Sequence, residues 1–362
     1  MKVYQRYIAR EVAAAILLVL LAFLALFAFF DLLGEVGNLG QGGYRLQHAF
    51  VYVLLRLAGR TYELMPLAIL IGTLYALANL SRHSEITVLR ASGLSTGKLL
   101  VCLCQIAAAF AVLTFLIGEY VAPPAEHAAS QLRLKERGRT MQELRGVRNL
   151  RSGLWVKDER SFINIRVLLS DRSLRGIRIY QFDEEGKLRS VTEAAAGEFT
   201  AANGWNLTDV AHTVLLNESA RVEKLPEMSW RSALNPEILA VLMLSPDRMS
   251  LRHLSAYTRH LSDNRQRTNR YDIAFWKKIV YPLAGLVMVA LALPFSAGHQ
   301  RSSGIGLQIF VGVMIGVLFH TLNGLSSNLG AIHGWPPLLS AAAPSALFLL
   351  AAGLMIWWVE RR

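Results

Sequence analysis

The chain has 362 residues, 53% of them hydrophobic and 18% charged, and carries 38 Lys and Arg against 26 Asp and Glu for a net charge of +12. A soluble domain runs nearer about 45–50% apolar and about 25% charged, so the composition argues against a purely soluble protein and excludes global disorder. The two cysteines, Cys102 and Cys104, exclude a disulfide framework and a cysteine-based zinc or iron–sulfur site.

In chain order, the apolar residues fall into two blocks of three runs. The first block holds Val12 to Leu33, Leu64 to Leu80 and Leu99 to Ala122, and the second holds Ile279 to Ala297, Ile305 to Leu325 and Leu338 to Val359. Each is close to the ~20 residues a helix needs to cross a ~30 Å hydrocarbon core. The first run is too long for the core of a cleaved signal peptide and ends at Phe29-Phe30-Asp31 without a small-residue cleavage pattern, so it reads as a retained helix. The basic residues of the short loops orient the chain. With the N-terminus cytoplasmic, Lys2, Arg6, Arg10, Arg82, Arg90, Lys98, Arg301, Arg361 and Arg362 lie inside, against Arg45 and Arg56 outside. That asymmetry puts both termini in the cytoplasm and the residues between the third and fourth runs outside it.

Those residues read as β structure. Trp155-Val156-Lys157, Phe162-Ile163-Asn164-Ile165 and Ile177-Arg178-Ile179-Tyr180 alternate, and Asp183-Glu184-Glu185-Gly186 and Ala202-Asn203-Gly204 are turn signals between such runs. Closely spaced short strands imply a sandwich or an open barrel. The flanking segments, Gln131 to Arg151 and Pro246 to Tyr271, are polar and basic and read as helical connectors.

Catalytic motifs are missing from the sequence. Gly93-Leu94-Ser95-Thr96-Gly97-Lys98 resembles a phosphate-binding loop, but its glycines are too close and Leu99 stands where Ser or Thr is required. The nine histidines are scattered without metal-ligand spacing. The loop after the second run is more informative. From Ser84 to Gly93 it carries the signals of a short helix: Ser84 to cap it, Glu85 at the positive end of its dipole, Ile86 and Leu89 as one apolar stripe, and Gly93 to end it. Such a helix either lies on the membrane as a connector or inserts into a groove of a cytoplasmic ATPase.

These segments together resemble the lipopolysaccharide export permease family (LptF/LptG), its G-type members most closely. The resemblance rests on Tyr62-Glu63-Leu64-Met65-Pro66-Leu67 entering the second run, Ser84-Glu85 and Arg90-Ala91-Ser92-Gly93 after it, Gly118-Glu119-Tyr120-Val121-Ala122-Pro123 closing the third, and Gly153-Leu154-Trp155-Val156-Lys157-Asp158 opening the β insert. It covers essentially the whole chain. It implies an α-helical membrane protein with six transmembrane helices, three plus three, and an all-β, periplasmic, jellyroll-like domain. Residues 1–125 then hold helices 1–3 with a coupling helix near 84–92, residues 126–271 the β domain with its connectors, and residues 272–362 helices 4–6.

The implied function is the permease subunit of an ABC transporter that extracts lipopolysaccharide from the inner membrane. Its implied partners are an F-type paralogous permease, a homodimeric cytoplasmic ABC ATPase that binds ATP and magnesium, and a membrane-anchored periplasmic jellyroll protein. No cofactor of its own, no catalysis and no nucleic acid are implied. A permease of another ABC exporter, for lipoproteins or peptides, and a non-transport scaffold or sensor are the alternatives.

Three groups of residues carry the expectation. Glu85 matches the family's acidic coupling position, with Ile86, Leu89, Arg90, Ala91, Ser92 and Gly93 around it. Arg133, which matches a basic position in the family, joins Lys135, Arg45, Lys277 and Lys278 as candidates for the anionic head group; charges solvating the connectors are the plainer reading of each. The family tends to carry lysines just after the first run, whereas Gly34-Glu35-Val36-Gly37-Asn38 stands here. Gly312 and Gly316 form a small-xxx-small face that serves either packing within the subunit or, with Leu24 and Phe27 of the first run, a lateral gate. Glu63 is either functional by its position near the membrane or simply the partner of Arg60.

Overall fold

The computed structural model describes residues 3–41, 43–136, 153–168, 173–200, 204–216, 219–230, 232, 245–264, 266–296 and 305–361. The first part of the chain folds as α1 (Val3–Val36), α2 (Leu46–Arg82), α3 (Glu85–Ala91) and α4 (Thr96–Leu116), which continues through a π turn (Ile117–Val121) into α5 (Ala122–Glu136). Six strands follow: β1 (Leu154–Asp158), β2 (Ser161–Leu168), β3 (Leu174–Phe182), β4 (Leu188–Thr200), β5 (Gly204–Leu215) and β6 (Ala220–Trp230). The chain returns through a 3-10 turn (Pro246–Arg248), α6 (Leu251–Asp263), α7 (Asn269–Val280), α8 (Ala284–Ala292), α9 (Ile305–His333) and α10 (Pro337–Glu360).

Among the described residues, six helical stretches are long and apolar enough to cross a membrane: Val3–Val36, Leu46–Arg82, Thr96–Arg133, Asn269–Ala292, Gly306–His333 and Pro337–Trp358. Each contains one of the six apolar runs or most of it. The stretches exceed their runs because backbone hydrogen bonding continues after the apolar residues stop.

The second stretch is the axis of the bundle. Of its most apolar window 78% is buried, against 22% for the first and fifth stretches, so α2 is wrapped by its neighbours and α1 and α9 are peripheral. Small residues permit this. A Cβ on Gly72 would sit on the backbone of Ile16, and one on Gly285 would meet Ile69 Cδ1 at 2.7 Å. Helix α1 therefore crosses α2 with no side chain between them. One continuous apolar core runs from Ile8, Val12 and Ile16 through Met65, Ile69 and Leu77 to Leu103 and Met288. The free cysteine Cys102 is buried in it, as a small hydrophobe.

The π turn has a covalent cause. Pro123 and Pro124 have no N–H to give to carbonyls four residues back, and the ladder shifts so that Ala122 N–H reaches Ile117 O. The wider turn seats Gly118 against the ring of Tyr62, whose own ring lies 5.1 Å from that of Tyr281.

The six strands form one antiparallel sheet in the order β1-β2-β3-β4-β5-β6. The jellyroll-like expectation holds as a separate all-β antiparallel domain, with a meander as its strand order. The alternating runs are strands as expected, with Val156, Ile163, Ile165, Ile177 and Ile179 on the inner face. Alternation could not show a crease. In β3 the buried positions run Leu174, then Ile177 and Ile179; in β4 they run Thr192 and Ala194, then Gly197; in β5 they run Trp205 and Leu207, then Val210. The period of two slips at one register level in all three strands. Gly176 (φ 63°) and Asp209 (φ 54°) stand there in left-handed backbone, and Pro226 of β6, which has no N–H, falls between the paired positions Leu225↔Val210 and Glu227↔Thr208. Strands that turn a corner through such residues fold one sheet into two arms. Ile165 and Ile177 on one arm and Leu174, Trp205, Leu207 and Trp230 on the other then share one core.

Candidate functional site

Two places on the bundle gather the candidate residues, one at each end. At the end away from the sheet, α3 joins α2 to α4. Its residues form a helix of barely two turns because Gly93, at φ 92°, ends it: Gly93 N–H reaches Arg90 O and Leu94 N–H reaches Leu89 O, both at 3.0 Å. Ser84 does not cap the other end as expected. It sits in left-handed backbone (φ 61°) and its side chain makes no capping bond, while its carbonyl accepts from Val88 N–H at 3.0 Å. Ile86 is buried and Leu89 half-buried against the main core. The apolar stripe expected to face a partner thus anchors α3 to its own chain. Val88, Arg90, Ala91 and Ser92 are exposed. Glu85 is half-buried at the first turn, and Tyr7 of α1 donates a hydrogen bond to its Oε2 at 2.8 Å.

At the sheet end, acids on α1 hold bases from α2 and α5. Asp31 receives Arg56 at 3.4 Å and Arg60 at 3.1 Å, and Arg60 also reaches Glu63 at 3.3 Å. Glu63 is therefore the partner of Arg60, the plainer of its two readings. One turn beyond Asp31, the buried Glu35 faces Arg133 at 3.4 Å. Arg133 also donates to Tyr52 Oη at 3.3 Å, and its guanidinium lies 5.4 Å from the centre of that ring while Arg56 lies 5.8 Å from it. Arg133 is partly exposed; Arg45 is exposed at the start of α2. The side chain of Lys135 lies outside the described residues.

Lys277 pairs with Asp247 at 3.1 Å. Lys278, expected at a head group, is buried instead. It donates to Met249 O and stands 3.7 Å from Glu119 on the π turn, and Glu119 in turn accepts Leu251 N–H at 2.9 Å. The carboxylate thus sits at the positive end of α6, with Lys278 balancing its charge. Nearby, Arg248 meets Glu126 at 3.0 Å. These contacts clamp the connector that returns from the sheet onto the third and fourth spans. Tyr257 of α6 packs on Tyr271 at 4.7 Å, and burial, with that ring beside it, pushes its hydroxyl well above the usual tyrosine range.

Gly312 and Gly316 face α2. A Cβ on Gly312 would meet Leu74 Cδ1 at 2.7 Å, and one on Gly316 would overlap Leu67 Cδ1. The small-xxx-small face is spent on packing within the chain, and the opposite face of α9 shows Leu307, Phe310, Met314 and Val317. Leu24 and Phe27 are half-buried against the core, Phe27 lying 5.1 Å beneath the Arg60 guanidinium. The residues sequence reasoning missed are the acids Asp31 and Glu35 and the tyrosines Tyr7 and Tyr52. Asp31 carried a signal, a lone acid at the end of an apolar run, whereas nothing local marked Glu35 as the partner of Arg133.

A six-span helical bundle that carries a separate antiparallel β domain between its halves has the architecture of a multi-pass membrane protein. Comparison makes this specific. The family described as "Lipopolysaccharide export system permease LptF/LptG" matches residues 6–359, and the chain belongs to it. It is 31% identical to the lipopolysaccharide export system permease protein LptG of Escherichia coli K12, over 99% of this chain and 98% of that protein. It is 30% identical to the LptG protein of Haemophilus influenzae over the same shares. The scaffold and lipoprotein-exporter alternatives give way to this membership.

Proposed function

We propose that this chain is the G-type permease subunit of a lipopolysaccharide exporter, paired in the inner membrane with an F-type paralogue above two copies of a cytoplasmic ATPase that binds ATP and magnesium. The β domain lies in the periplasm, both termini lie in the cytoplasm, and lipopolysaccharide leaves the membrane for a membrane-anchored periplasmic jellyroll protein through the β domain.

The energetics favour such a relay. A cargo with on the order of 60 acyl methylenes, at ~0.8 kcal/mol each, would cost roughly 50 kcal/mol to expose to water. Its chains must therefore pass from lipid to an apolar protein surface and on to an apolar β interior. The exposed apolar faces of α1 and α9 support the first step, and an all-β domain with an apolar core between its arms supports the second.

The observation that carries the coupling role is the placement of α3, pinned to the bundle by Ile86 with Glu85 at its outer edge. Removing one member of a desolvated charged contact costs about 2–5 kcal/mol. Glu85→Lys is expected to leave the permease pair assembled while weakening ATPase association or ATP-driven lipopolysaccharide release, and a charge reversal in the ATPase groove to restore part of it. A Glu85→Lys complex that assembles and exports like the parent makes Glu85 a helix-end charge and nothing more.

A further inference from the structure

Helix α1 packs on the bundle through one narrow face, Ile8, Val12 and Ile16, and is held by polar contacts at its ends. Only 22% of its most apolar window is buried. At the sheet end Asp31 and Glu35 are tied to Arg56, Arg60 and Arg133. At the other end Tyr7, 43% exposed, reaches across 78 residues of sequence to the Glu85 carboxylate. The hydroxyl is not there to fill space, since neither group is buried. A phenol donating to a carboxylate makes a charge-assisted bond with a defined direction, and here it takes one of the two oxygens, Oε2. Helix α3 is seven residues long, its Ser84 offers no side-chain cap, and its apolar anchors Ile86 and Leu89 tie it to the core rather than fixing the Glu85 side chain. The Tyr7 bond thus joins the peripheral helix α1 to the edge of α3.

We propose that Tyr7 is a positioning residue for the coupling contact. Its hydroxyl sets the rotamer of Glu85 before a partner arrives, and it makes α1 follow a displacement of α3 directly rather than through α2. This rests on the coupling role proposed for Glu85. Because α1 is anchored by ion pairs at its far end, a pull at Tyr7 tilts the helix against α2, along the crossing where Gly72 and Ile16 meet backbone to backbone.

The test uses the full complex, with paralogue and ATPase, in proteoliposomes loaded with lipopolysaccharide, and reads ATP hydrolysis and lipid release separately. Tyr7→Phe is expected to assemble fully and hydrolyse ATP at the parent rate, while lipid released per ATP falls roughly three- to tenfold, the range for losing an ordinary hydrogen bond, since exposure offsets the extra strength of a charged acceptor. Placed on Glu85→Gln, it is expected to add nothing further. A parent-like Tyr7→Phe overturns the proposal, as do an effect that adds in full to that of Glu85→Gln and a loss of assembly, which would make Tyr7 merely structural. Glu85→Gln alone separates the two ideas. If it is silent, the coupling role fails and the Tyr7 proposal with it; if it is defective while Tyr7→Phe is silent, only the Tyr7 proposal fails.

Discussion

Glu119 and Lys278 meet inside the protein at 3.7 Å, each less than a tenth exposed. Breaking one side of such a pair leaves an uncompensated buried charge and typically costs about 3–5 kcal/mol. Lys278→Met is therefore expected to lower the melting temperature of the purified protein sharply and to open α6 to proteolysis. Glu119→Gln with Lys278→Met should recover much of the loss. If Lys278 served a head group instead, Lys278→Met would leave the melting temperature unchanged.

Arg133 presents the opposite problem, because charge reversal there confounds two roles. Arg133→Glu would strand Glu35 beside a like charge and destabilise the α1–α5 contact whatever the arginine binds. The cleaner variant is Arg133→Gln with Glu35→Gln, which removes both charges together. We expect it to assemble with near-parent stability and to lose most of its lipid crosslinking or lipid-stimulated ATPase activity. An unchanged lipid response would confine Arg133 to neutralising Glu35.

Gly316 is fixed by the space that Leu67 occupies. Gly316→Val is expected to push α9 off α2 at a cost of about 1–3 kcal/mol, visible as a lower melting temperature. Adding Leu67→Ala should restore part of it. A neutral Gly316→Val would mean that the helices do not approach this closely.

Asp209 tolerates left-handed backbone because its short polar side chain can bond locally; a β-branched residue cannot follow it without strain of about 1–2 kcal/mol. Asp209→Val should therefore destabilise the β domain, and Asp209→Gly should not. Equal behaviour of the two variants in thermal unfolding would remove the crease from this position.

The orientation is tested by cysteines at two turns. With a membrane-impermeant thiol reagent, in cells permeable only at the outer membrane, Lys187→Cys is expected to label and Ser95→Cys to stay protected. The reverse pattern would turn the molecule over.

Most of the fold was legible because hydrophobic length and hydrophobic alternation are local signals. The six apolar runs became the six spanning stretches, and Ile163, Ile165, Ile177 and Ile179 lie inside the sheet as their spacing demanded. Most of the failures are pairings between distant residues; the exceptions are Ser84, whose left-handed backbone denies α3 its cap, and the crease. Nothing local distinguishes Lys278 from Lys277, yet one is buried under Met249 and Glu119 while the other faces Asp247. Ile86 and Leu89 form an apolar stripe in either reading, and only the position of α3 against the bundle decides that the stripe points inward. Gly312 and Gly316 announced a close helix contact without naming the helix. The crease was invisible because Asp209 reads as an ordinary solvent-facing residue until its backbone is seen.

Helix α2 has 37 residues, about 55 Å at 1.5 Å per residue, and its apolar half from Leu64 onward accounts for roughly the ~30 Å of a hydrocarbon core. The remainder, from Leu46 to Glu63, continues on the sheet side as a rigid post, braced by the ends of α1 and α5, with Leu46, Phe50 and Leu54 exposed along it. A bilayer thicker than that apolar half by about one turn would carry Glu63 and Arg60 into hydrocarbon, a costly place for charge, so on the sheet side these side chains set the depth to which lipid can rise.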